Sequence, residues 1–139
     1  MGSIRSLCLA AALLALAGPA AAQNGAPPDR SVRDGVYSKA QAARGKATFG
    51  EVCGNCHSTS QFRGDEFQMQ WDGRSVGDLF AQLRTTMPID NPGGLTPQEY
   101  AAVIAYIFEL NGYPAGGGEL PATAAPLARI RIETRGQDR

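Results

Sequence analysis

Apolar residues first appear as an unbroken run over 7–17, preceded by Arg5 and followed by Gly18-Pro19 and Ala20-Ala21-Ala22. A charged start, an apolar stretch and an A-x-A site form the layout of a secretory signal peptide, with cleavage expected after Ala22. The run falls short of the roughly 20 residues that a spanning helix needs, so no transmembrane anchor is expected. Residues 23–35 are polar, carry Pro27-Pro28 and show no period; they read as a flexible leader.

Helical spacing begins after the leader. Residues 37–51 predict a helix with Ser38 as N-cap and Ala40, Ala42, Ala43 and Ala47 inside it. Gly45 and Phe49 share one face of that helix. A helical glycine costs about 1 kcal/mol relative to alanine, which is reasonable where another backbone must come close; otherwise Gly45 is incidental. Residues 58–73 scatter Phe62, Phe67, Met69 and Trp71 among charges without a period. A second helix starts at Ser75, where Ser75-Val76-Gly77-Asp78 resembles a capping box, and it should end by Thr86 because Pro88 disfavours helical geometry at Met87. The last helix is signalled by Thr96-Pro97-Gln98-Glu99, with a stripe of Tyr100, Val103, Ile107 and Leu110 and a stop at Asn111-Gly112. Val103 and Tyr106 are expected to cross Gly45 and Phe49. Residues 114–139, with Gly116-Gly117-Gly118 and three prolines, read as a flexible tail. Within it, residues 129–133 alternate like a short strand, either solvated or serving as a docking arm.

Composition narrows the function classes. Thirteen Lys+Arg balance thirteen Asp+Glu, which argues against a nucleic-acid or membrane-surface binder. With 17 Gly and 9 Pro the folded core should be small, and a large apolar cofactor would add the missing buried area.

The chemistry concentrates in Cys53-Gly54-Asn55-Cys56-His57. C-x-x-C-H is the attachment signature of c-type haem: Cys53 and Cys56 can add to two vinyl groups as thioethers, and His57 then lies beneath the iron. The alternatives are a disulfide or a zinc site. No strand alternation precedes Cys53, as a thioredoxin-type pair would want, and the two cysteines with the sole histidine make only three zinc ligands. An iron held by His57 has a second axial position, and no other histidine exists to fill it. Met87, at the end of a helix and before a rigid proline, is the candidate; Met69 and an open or lysine-ligated site are the alternatives. Trp71 is the only tryptophan, and it is either a haem-propionate contact or a core aromatic.

Gly45 and Phe49 ahead of Cys53-Gly54-Asn55-Cys56-His57, then Met87-Pro88, then Val103-Ile104-Ala105-Tyr106 resemble a class I cytochrome c of the bacterial monohaem group. The resemblance covers residues 37–112. It implies an all-α small cytochrome c fold, three to five helices wrapped around one covalent haem c, with a domain over 36–113. Residues 86–95 and Asn111-Gly112-Tyr113-Pro114 are similar to domains that serve periplasmic dehydrogenases. The function implied is periplasmic electron transfer by iron with His/Met axial ligation. Redox proteins would be the partners, a periplasmic dehydrogenase as donor and an oxidase or other cytochrome as acceptor. A haem enzyme or sensor would need an open sixth site, and the lack of a second histidine for acid–base work counts against it. A subunit held permanently in a dehydrogenase or oxidase complex is the third possibility.

Overall fold

Ser38 opens the first helix, α1 (Lys39–Thr48), by accepting a hydrogen bond from the Gln41 amide. In the computed structural model, which describes residues 30–133, α1 runs without a break into a π-helical turn, Phe49–Cys53, that delivers the first cysteine. Wide turns of this kind break the regular ladder and are frequent at functional sites. A short 3-10 turn (Thr59–Phe62) and α2 (Asp65–Trp71) follow. Then come α3 (Val76–Thr86), α4 (Pro97–Leu110) and α5 (Ala124–Ala128). The only sheet among the described residues is a two-residue parallel pair, β1 (Arg30–Ser31) with β2 (Ile130–Arg131).

The frame is the crossing of α1 and α4, the most extensive helix contact in the fold. A Cβ at Gly45 would overlap the carbonyl oxygen of Ala102, so only glycine lets the two backbones touch here. Phe49 packs edge-on against Tyr106 at 5.7 Å between ring centroids. The crossing expected from Gly45, Phe49, Val103 and Tyr106 is present. The middle of α4 is buried without interruption, from Tyr100 through Phe108. Its expected capping box is formed by Thr96 and Glu99, with Pro97 at the first helical position. Ser75 and Asp78 likewise cap α3, which ends at Thr86. The all-α expectation holds, with five α-helices among the described residues.

Three expectations need correction. Residues 58–73 are not aperiodic loop. Phe67 and Trp71, four apart, bury one face of α2, while Asp65 and Glu66 occupy its positively polarised first turn. The helix has only seven residues, too short for a period to stand out. The supposed flexible leader is ordered in its described part, because Val32 is buried and Ser31 with Asp34 caps a 3-10 turn.

The supposed flexible tail packs across the helices from Tyr113 to Ile132. Leu120, Leu127, Ile130 and Ile132 are buried. The buried Gln41 amide holds Leu120 by both backbone groups, Nε2 donating to its carbonyl at 2.9 Å and Oε1 accepting from its N–H at 2.7 Å. Tyr37 donates to the Tyr113 carbonyl at 2.8 Å, and Gly116 N–H donates back to Tyr37 O at 2.7 Å. α5 lies so close to α3 that a Cβ at Gly77 would come within 2.9 Å of the Ala128 nitrogen. The strap ends by exchanging hydrogen bonds with Gly73 and Arg74 through Ile132, both at 2.8 Å. The alternation over 129–133 is thus a strand used inside this chain. The signal peptide expected over 1–22 and the ends of the leader and tail lie outside the described residues.

Candidate functional site

Cys53 ends the π-helical turn, and its carbonyl accepts from both Cys56 N–H (3.1 Å) and His57 N–H (2.9 Å). This tight turn puts two thiols and an imidazole on one short loop. Both cysteines are free thiols, Cys53 half-buried and Cys56 exposed. Burial pushes the Cys53 thiol above its ordinary pKa. Among the described residues no three His, Cys, Asp or Glu side chains gather to hold a metal, so the zinc alternative finds no further ligand.

The loop borders a cavity of about 390 Å³. Cys53, Cys56 and His57 lie on it, and so do Met87 and Pro88, brought from the far end of α3. Between them the wall is mainly apolar, with Phe49, Phe67, Leu79, Leu83, Val103 and Ile107. A larger cleft of about 690 Å³ around Arg33, Arg63 and Asn111 is polar and contains neither thiol nor imidazole.

The structure therefore brings together all four residues expected to bind a haem and its iron. Two thiols for vinyl addition, an imidazole, a thioether and an apolar wall form the donor set that a haem requires, and the residues present fit it. Met87 is extended (φ −128°, ψ 151°) past the last turn of α3. Its carbonyl accepts from the Tyr100 hydroxyl at 2.6 Å and from Gly93 N–H at 3.4 Å, which ties the loop to α4. Met69 is 82% exposed on α2 and does not reach the cavity. Trp71 lines the cavity and is buried, with the Arg74 guanidinium 4.4 Å from its ring centroid.

Sequence reasoning missed the support of the imidazole. His57 Nδ1 lies 3.2 Å from Gln61 Oε1, and its ring packs edge-on against Phe62 at 5.4 Å. Phe62 in turn contacts Phe49 at 5.6 Å. Asn111, expected as a helix stop, clamps this turn: its Nδ2 donates to Phe62 O at 2.8 Å and its Oδ1 accepts from Gly64 N–H at 3.0 Å. The signal for Gln61 was available in Ser58-Thr59-Ser60-Gln61, a capping-box pattern that the structure forms.

Residues 40–107 match the family model described as "Cytochrome C oxidase, cbb3-type, subunit III". No curated protein and no solved structure matches the chain. The matched residues run from α1 to α4 and so include all four cavity donors.

Proposed function

Residues 40–107 are a class I c-type cytochrome domain, and on that basis we propose that the protein is a periplasmic electron carrier with one covalent haem and His57/Met87 axial ligation. The observation that supports it is the meeting of Cys53, Cys56, His57 and Met87 on one apolar-walled cavity. Haem iron held there would pass single electrons by alternating between the ferric and ferrous states. The chain's residues do the rest. Cys53 and Cys56 would hold the group covalently, and His57 and Met87 would close both axial positions. The apolar wall keeps water away. Trp71 is the proposed contact for a propionate. Redox proteins are the proposed partners, with a periplasmic dehydrogenase as donor and an oxidase or another cytochrome as acceptor.

Export through a signal peptide over 1–22 would deliver the thiols to the periplasm. No helix among the described residues is long and apolar enough to cross a membrane. The family description, which names an oxidase subunit, supports a second reading: a subunit bound permanently in a larger complex. Elution of the native protein at the size of the free chain would rule that out.

The axial pair is tested with Met87→Ala. The oxidised variant should lose the weak sulfur-to-iron absorption band, and its ferrous form should bind carbon monoxide quickly. An unchanged spectrum would move the ligand elsewhere. Rapid stoichiometric carbon monoxide binding by the parent protein would favour an enzyme or sensor.

A further inference from the structure

We propose that Gln61 is the positioning residue that fixes the tautomer and orientation of the His57 ring. The inference rests on the haem reading above, since it decides which ring nitrogen is left for iron.

Gln61 Oε1 lies 3.1 Å from the backbone nitrogen of Ser58 and 3.2 Å from His57 Nδ1. A backbone N–H can only donate, so the atom facing it is the amide oxygen and not the amide nitrogen. That same oxygen faces Nδ1. Two acceptors cannot bond each other, so Nδ1 carries the hydrogen and donates it. A neutral imidazole with its hydrogen on Nδ1 has its free lone pair on Nε2. The ring is thus set to offer Nε2 as ligand, with Phe62 edge-on to it limiting rotation.

Gln61 is itself held from two directions. Its N–H donates to Ser58 O at 3.2 Å, closing the 3-10 turn, and Asn111 fixes the neighbouring Phe62 carbonyl. A donated Nδ1–H bond also moves electron density toward Nε2, strengthening it as a ligand and favouring ferric iron. If Gln61 served only to cap its turn, neither effect would follow.

The test uses the purified haem protein, labelled with ¹⁵N-histidine and reduced to its diamagnetic ferrous state. His57 is the sole histidine, so a single Nδ1–H resonance is read. The parent should show it protected from solvent exchange. Gln61→Leu should lose that protection and shift the reduction potential upward. Gln61→Glu keeps an oxygen for both donors and should retain the protected signal. If Gln61→Leu does not fold, Gln61→Met, apolar and similar in length, gives the same readout. A variant that melts at lower temperature but keeps both the protected signal and the parent potential would overturn the proposal. A purified chain without covalent haem would overturn the functional reading instead. In that chain the ¹⁵N shifts still report the tautomer, where hydrogen on Nδ1 supports the inference and hydrogen on Nε2 sinks it.

Discussion

The cavity wall and the strap are built from the same short chain by different means. The wall gathers its donors from a five-residue motif and one helix end, on a frame set by the α1–α4 crossing. The strap, Tyr113 to Ile132, contributes no thiol or imidazole. It is held by single apolar residues and by backbone groups bonded to Gln41, Tyr37, Gly73 and Arg74. Damage to the wall should therefore appear first in the iron chemistry, and damage to the strap first in stability.

The sharpest break in that comparison is removal of the attachment itself. Cys53→Ser with Cys56→Ser should abolish covalent haem, read as loss of the haem mass from the denatured polypeptide; retained mass would place the attachment elsewhere. Gly45→Leu attacks the frame. Its side chain would collide with the Ala102 carbonyl, and because that obstacle is backbone the helices must separate. Overpacking costs about 1–3 kcal/mol, and more where backbone must move, so a large drop in denaturant midpoint is expected together with impaired haem retention. Normal folding and haem retention would show that the crossing can yield.

On the strap, Leu127→Ala should cost about 2–5 kcal/mol, the range for a fully buried leucine. The sulfur-to-iron band should remain as in the parent, since Leu127 does not line the cavity. Gln41→Ala is expected to be milder, at about 1–3 kcal/mol for leaving the Leu120 backbone groups buried without partners. A strap variant that lost the band at full stability would erase the distinction between the two regions.

The same contrast explains what the sequence made legible. The wall was readable because its parts carry local chemical or periodic signals: C-x-x-C-H, a methionine before proline, capping boxes at Ser75 and Thr96, and a helical stripe through Tyr100, Val103 and Ile107. The strap had none. Leu120 and Leu127 stand apart among prolines, glycines and alanines, and burial of an isolated residue depends on where the chain is carried. One of its tethers is a side chain on α1, 79 positions away from Leu120 in the sequence. α2 escaped notice because two turns hold only one i,i+4 apolar pair, Phe67 and Trp71. Gln61 belongs to no ligand signature, and its one local mark is a capping pattern that starts one residue past His57.

The smallest expected effect lies at the point where the wall meets the strap. Ser75 caps α3, which carries Met87 at its far end, and its neighbour Arg74 receives Ile132 from the strap. The Ser75 hydroxyl and N–H both donate to Asp78 Oδ2, at 2.8 and 3.0 Å, and hold its carboxyl below the usual aspartate range. A carboxyl whose folded pKa is depressed contributes stability above its unfolded pKa and loses it as pH falls through the folded one. Ser75→Ala removes the hydroxyl bond and the N-cap acceptor, for about 1 kcal/mol at neutral pH. The difference from the parent should narrow as acid protonates Asp78, because the ionised carboxylate accepts these bonds more strongly than the neutral acid. Urea midpoints measured at neutral pH and again well below the normal aspartate pKa would show it. A constant difference would mean that the cap acts through the helix amides alone. Since α3 spans the distance from strap to Met87, the sulfur-to-iron band of Ser75→Ala should persist at neutral pH; losing it there would couple the two regions more tightly than their separate tethers imply.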